Sequence, residues 1–331
     1  MRLKKINEQE QKMKVSARVI TTVFAVAAAF IGATSNAAPK REKPLKVLAI
    51  GNSFSICVGK EMPKVAMDLG CPLDFCSLYI GGCTLDRHAA NLKKPDSNPY
   101  YITWSYVSCK KGEEPFKDAL VQIKNKHGHL RTHSNIERML KADKWDIVTV
   151  QQGSHQSWQE KSYEPHGTKL LEMIRKCAPQ AKVYVQQTWS YTPWDRRLGG
   201  WGIDQNQMFE KLESAYGKFA ANHGLDVIKT GEAVQRFRKD LPVKYVNDEG
   251  KDSNAYDVVG VNKFKTLKDG KIWLDGDAFH LNRKGEYLQA LVWTAKLFNV
   301  DVTKCKYVPK YLKDAPDTVK LMRKIANEVA K

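Results

Sequence analysis

Lys46-Val47-Leu48-Ala49-Ile50-Gly51-Asn52-Ser53-Phe54-Ser55 is the stretch whose reading decides the fold. Val47 to Ile50 is a short, unbroken apolar run, the pattern of a strand buried on both faces of a parallel sheet. Gly51-Asn52-Ser53 then lets the chain turn sharply into a helix-like segment. A serine at that corner projects above the carboxyl end of the sheet, where open α/β folds bind ligands. Its own backbone N–H can point into the same space.

Further along, Leu73–Tyr79, Trp145–Val150, Lys182–Gln187 and Leu225–Ile228 read as strands beside Val47–Gly51. Helical patterns fall at Gly59–Leu69, Ser134–Lys141, Glu164–Cys177, Gln205–His223, Glu232–Lys239 and Arg283–Phe298, with a last amphipathic helix over Asp314–Ala330. Such alternation predicts right-handed crossovers and a mainly parallel sheet of about five strands covered on both faces. Two insertions interrupt it. Asn91–His133 is polar, aromatic and basic, and Asn247–Trp273 carries an Asp269-Gly270 turn signal that predicts a β-hairpin beside the site.

The second decisive motif is Asp277-Ala278-Phe279-His280, followed at once by the helix start Asn282-Arg283-Lys284-Gly285. A serine hydroxyl is a weak nucleophile until a neighbouring base takes its proton. His280 is the candidate base, and Asp277 the group that fixes its tautomer. The spacing of three lets both project from one loop toward Ser53.

The first 37 residues are expected to be a signal peptide, leaving 38–331 as one hydrolase-type domain with a C-terminal helix. Met1–Arg18 is basic and polar, Val19–Ile31 is apolar but short for a bilayer span, and Ser35-Asn36-Ala37-Ala38 fits a cleavage site. The expectation is an exported protein, periplasmic or secreted, with no stable membrane insertion after processing. Loss of six Lys/Arg and two Asp/Glu with that segment lowers the formal charge from +18 to +14. The basic residues are spread along the chain without a nucleic-acid-binding motif, so no specific nucleic acid is expected as partner. Seven cysteines, an odd number, leave at least one thiol unpaired within the chain. No cysteine or histidine array has zinc-site spacing, and His127, His129 and His133 lie among Lys and Arg without carboxylates, so no metal and no cofactor is expected.

On these motifs the chain resembles the SGNH (GDSL-like) hydrolase superfamily. Gly51-Asn52-Ser53-Phe54-Ser55 stands where that superfamily has Gly-Asp-Ser-Leu, Gly81-Gly82-Cys83-Thr84 matches its second block, and Asp277-Ala278-Phe279-His280 its fifth. The resemblance implies a three-layer, flavodoxin-like α/β/α fold and an oxyanion hole that includes the N–H groups of Ser53 and Gly82. The third block departs from the pattern. Gln151-Gln152-Gly153-Ser154-His155-Gln156 replaces Gly-x-Asn-Asp, whose Asn supplies an oxyanion donor. A Gln amide can donate in the same way. Gln152 is the first expectation, with Gln151 and His155 as alternatives. Together, Gly-Asn-Ser-Phe and Gln-Gln are similar to an exported branch of Gram-negative bacteria often described only as a domain of unknown function.

The function so implied is ester hydrolysis, with an O-acetyl group on carbohydrate, or another small acylated molecule, as substrate. Trp158, Trp189, Tyr191, Trp194 and Trp201 are candidates to stack on sugar faces, and the interleaved Asp195, Arg196 and Arg197 to bind hydroxyls or carboxylates. Of these, Trp189 and Trp194, with Gln151 and His155, are the expected substrate-binding residues. The alternative is a glycan-binding protein that kept the fold and lost turnover.

Overall fold

The computed structural model describes residues 41, 43–93, 101–106, 116–125, 127–240, 257–266 and 272–331, which fall in one compact unit. The proposed leader, residues 1–37, lies outside the described residues, as do Cys109 and the Asp269-Gly270 turn.

The chain opens with β1 (Leu45–Gly51), a short helical turn α1 (Ser53–Ile56) and α2 (Val58–Asp68). Then come β2 (Leu73–Tyr79), α3 (Leu85–Asn91), β3 (Tyr101–Tyr106), β4 (Val121–Lys124), β5 (Leu130–Ser134) and α4 (Ile136–Ala142). The middle of the chain supplies β6 (Ile147–Val150), α5 (His166–Cys177), β7 (Lys182–Gln186), α6 (Arg196–Trp201), α7 (Gln205–His223), β8 (Asp226–Ile228) and α8 (Thr230–Asp240). The hairpin β9 (Val259–Thr266) and β10 (Ile272–Leu281), α9 (Arg283–Phe298) and α10 (Pro316–Val329) complete it.

One sheet runs in the order β4-β5-β3-β2-β1-β6-β7-β8. The five strands expected from the sequence form its parallel part, with β1 between β2 and β6. The sheet has eight strands, however, not about five. The three extra ones come from the Asn91–His133 insertion, and β3, β5 and β4 pair antiparallel outward from β2. Their side chains are partly exposed, Trp104 and Leu130 among them, so no continuous apolar run marks them.

Strand β1 divides its side chains between two cores, as a strand covered on both faces must. Leu45, Val47 and Ala49 face the layer of α2, α8, α9 and α10. Leu48 and Ile50 face the layer of α4, α5 and α7. Fully burying each of the Leu, Val and Ile side chains contributes about 1.5–3 kcal/mol. Asn282 caps α9 by accepting from the N–H groups of Lys284 and Gly285, and Asp204 with Gln207 forms a capping box at α7. Helix α9 is buried on nearly all sides, because α10 covers its outer face with Val319, Met322, Ile325 and Val329.

The pairing register places the site. Gly51 of β1 lies level with Tyr79 of β2, and Ile50 with Val150 of β6. The segments that follow these three strands therefore leave the sheet side by side at one edge. The hairpin brings a fourth segment, since β10 runs through Asp277 to Leu281 and ends directly at α9.

Candidate active site

Ser53 opens α1 immediately after β1, and Asn52 caps the turn by accepting from Phe54 N at 2.9 Å. Asparagine is a preferred cap because its short side chain reaches the orphan N–H groups of a first turn. Ser53 Oγ lies 2.7 Å from His280 Nε2. His280 Nδ1 is hydrogen-bonded in turn to Asp277 Oδ2. The other carboxylate oxygen, Oδ1, accepts the backbone N–H groups of Phe279 and His280, each at 2.9 Å. Burial pushes the Asp277 carboxyl up, but the His280 ring and those two N–H groups outweigh it and hold it below the usual range. The ionised carboxylate then keeps the Nδ1 proton on the imidazole, leaving Nε2 to accept from the serine. The rims of this triad are open, with about a third of the Asp277 and His280 side-chain surface exposed.

The loop after β2 carries Gly81-Gly82-Cys83-Thr84 across from the serine. Gly82 adopts φ +58°, a left-handed conformation that suits glycine. Three hydrogen bonds pin this loop. Asn52 Nδ2 donates to Cys83 O at 2.9 Å, Cys83 N to Ile80 O at 3.2 Å, and Leu85 N to Gln152 Oε1 at 2.8 Å. The N–H groups of Ser53 and Gly82 engage no acceptor among the described residues.

The Gln152 amide, first expectation for the third oxyanion donor, is engaged elsewhere in the structure. Its side chain is fully buried and committed at both ends. Oε1 accepts from Leu85 N and Gly153 N, both at 2.8 Å, while Nε2 donates to Ser162 O at 2.8 Å and Ser162 Oγ at 3.0 Å. Gln151 is also turned inward, donating from Nε2 to Asn52 Oδ1 at 2.5 Å. The extra methylene that gives Gln its reach takes both amides past the cleft and into loop–loop bonds. Gly153 allows this close approach, because a Cβ there would sit 2.6 Å from Thr84 Cγ2 and 3.2 Å from Cys83 O. His155 alone of the three candidates is exposed. Burial and the Arg197 charge hold its imidazole below the ordinary histidine range.

Trp189 is core rather than substrate surface. It is fully buried, stacks on Phe54 with ring centroids 4.2 Å apart, and donates from Nε1 to Phe279 O at 2.8 Å. A tryptophan just past an interior strand turns its large apolar face inward when a backbone acceptor is at hand. Phe54, one residue from Ser53, also lies 5.4 Å from the His280 ring. Trp194 is half-buried, and Trp201 packs between Trp158 and Tyr191.

One feature escaped the sequence reading, and one gives a place to Arg197, which that reading named only among the polar groups of the rim. Gln186 and Gln289 both donate to Phe54 O at 2.9 Å, bracing the turn that carries Ser53. Arg197 reaches the His280 side of the site, its guanidinium over the ring of Phe279. Gln186 left a faint signal as a polar residue ending an apolar strand, and Gln289 left none. The six described cysteines are all thiols, and burial pushes Cys57 and Cys76 up to about 12, so these two are inert neutral side chains.

No curated protein matches the sequence. Among solved structures, the chain is similar to a DUF4886 family protein from Bacteroides uniformis, with 25% identity over 87% of this chain and 95% of that one, at TM-score 0.64. It is more distantly similar to a putative SGNH hydrolase from Slackia heliotrinireducens, with 18% identity over 76% of this chain and 98% of that one, at TM-score 0.44. A family 3 carbohydrate esterase from Clostridium thermocellum shares 14% identity over 76% of this chain and 94% of that one, at TM-score 0.38. The model of the domain of unknown function DUF4886 matches residues 46–258, which hold the nucleophile turn, the glycine loop and the Gln-Gln segment but stop short of Asp277 and His280. The chain belongs to the DUF4886 family.

Proposed function

We propose that this protein is a serine ester hydrolase that removes small acyl groups, O-acetyl above all, from carbohydrate. The observation that carries the reading is the unbroken chain from Ser53 Oγ through His280 to the Asp277 carboxylate. In the proposed reaction Ser53 Oγ bonds to the ester carbonyl carbon as its proton passes to His280 Nε2. The Ser53 and Gly82 N–H groups take the charge that develops on the carbonyl oxygen, and His155 is the remaining side-chain donor of the three expected. His280 then returns the proton to the departing sugar oxygen as the C–O bond breaks. Water repeats the sequence on the acyl-serine and releases the acid.

The carbohydrate part of the reading rests on chemistry at the rim, where half-buried Trp194 and Trp201 share the β7–α7 segment with Asp195 and Arg197. We further propose that the protein is exported, on the strength of its N-terminal sequence, and needs no cofactor for this reaction. The test is p-nitrophenyl acetate hydrolysis by the full chain and by Ser53→Ala. The expected loss is about 10⁴-fold or more in kcat. Equal background rates in both proteins would reject catalysis and leave the glycan-binding alternative. Acetate release from acetylated polysaccharides then identifies the natural ester.

A further inference from the structure

We infer that Arg197 forms an anion subsite beside the Ser53, His280 and Asp277 cluster, where it receives a carboxylate carried by the ester substrate. The inference rests on the esterase reading and deepens it. Arg197 is held rigidly, with Nε donating to Asp195 Oδ1 at 2.8 Å and Nη2 to Asp195 Oδ2 at 2.5 Å. Asp195, itself buried, also caps the start of α6 by accepting Arg197 N at 2.9 Å. The guanidinium carbon sits 4.4 Å from the centre of the Tyr191 ring and 4.2 Å from that of Phe279. The Phe279 ring is in turn 4.2 Å from the His280 ring, so the cation is one side chain away from the general base.

This arrangement uses one edge of the guanidinium fork and leaves the other unused. Nη1 meets no acceptor among the described residues, although 39% of the side-chain surface remains open. A structural ion pair needs only the Asp195 edge. The remaining N–H groups are fixed in direction by the carboxylate and the two rings, so binding an anion there costs little side-chain ordering. Burial opposes the Arg197 charge, but Asp195 and the Tyr191 hydroxyl more than restore it, and the group stays a full cation. The formal charge of +18 draws polyanions toward the surface but cannot choose among them; a fixed fork beside the base can.

The experiment compares kcat/KM for three esters in wild type, Arg197→Gln and Arg197→Lys. An acetylated polyuronate carries its carboxylate on the sugar, p-nitrophenyl hydrogen succinate carries it on the acyl group, and p-nitrophenyl acetate carries none. The expected result is that Arg197→Gln lowers the ratio of carboxylate-bearing to neutral kcat/KM by about 10- to 100-fold, mainly through KM. Arg197→Lys, which keeps the charge and loses the fork, falls between. Whichever charged ester shows the drop places the carboxylate on the sugar or the acyl side. Ratios unchanged within about twofold for both charged esters overturn the subsite, even if all three rates fall together. A separate arm measures binding of deacetylated polyuronate to Ser53→Ala with and without Arg197→Gln by calorimetry. That arm reads a sugar-side subsite even if no ester is turned over, so its failure and the failure of the hydrolase reading stay distinct.

Discussion

Replacing Gln152 by Ala discriminates between a residue that touches the oxyanion and one that holds the loops around it. The side chain makes four hydrogen bonds in a fully buried position, joining the glycine loop at Leu85, its own segment at Gly153 and the turn at Ser162. Ser162 Oγ keeps its bonds to Gln156 O and Gln159 O, at 2.9 and 2.7 Å, so it does not become an orphan. Three groups do: Leu85 N–H, Gly153 N–H and Ser162 C=O. At about 1–3 kcal/mol for each buried group left unpaired, the low end is about 3 kcal/mol, since water entering the vacated space recovers part of the loss. That is a large share of the roughly 5–15 kcal/mol by which a typical domain is stable. A side chain whose only role was to donate to an oxyanion would instead cost about 10²–10³ in kcat and little stability. The assay is urea unfolding beside p-nitrophenyl acetate kinetics. The expected outcome is a stability loss near 3 kcal/mol, with a smaller fall in kcat because the Gly82 loop loses one of its three pinning bonds. A stability change under about 0.5 kcal/mol with a 10²–10³-fold fall in kcat would refute the clasp and restore the direct donor.

Two further outcomes follow from buried polar groups away from the nucleophile. Arg238 and Asp257 form an ion pair with 5% and 1% of their side-chain surface exposed, and Arg238 also reaches Ser190 O and Oγ. Arg238→Met, which leaves the buried carboxylate without its cation though still accepting from Val258 N and Val259 N, is expected to cost about 3 kcal/mol in urea unfolding, and Arg238→Met with Asp257→Asn to recover part of it. No difference between the single and double variants would deny the coupling. His88 is buried against Tyr101, 2.8 Å from its hydroxyl, and burial pushes the ring down from 6.5 to about 3. Above pH 6.5 neither folded nor unfolded chain binds this proton; between 6.5 and about 3 only the unfolded chain does. Stability therefore falls by about 1.4 kcal/mol per pH unit through that window, or about 2 kcal/mol between pH 7 and 5. His88→Asn is expected to lose that much less over the same interval, and parallel pH dependences would contradict it.

The parallel part of the fold was legible in the sequence because interior strands and amphipathic helices write their burial as periodicity. Leu73–Tyr79, Gln205–His223 and Arg283–Phe298 fall in the structure where the pattern puts them. The antiparallel strands β3, β4 and β5 were not legible, since half-exposed edge strands mix Trp104 and Leu130 with Arg131 and Lys124 and show no clean alternation. The hairpin was foreseen, yet its pairing through Asp277, which brings Asp277 and His280 to Ser53, was not.

Sequence alone therefore determined the α/β class and singled out Ser53, Asp277 and His280, because the proposed nucleophile, base and orienting acid are sought by residue type and local spacing. Tertiary structure decided what every amide and aromatic around them does. Gln151, Gln152, Trp189 and Arg197 each have several possible partners as residue types. Which one they meet depends on how loops after different strands converge at one sheet edge. That convergence is a long-range property, set by strand register and packing, and no local pattern encodes it.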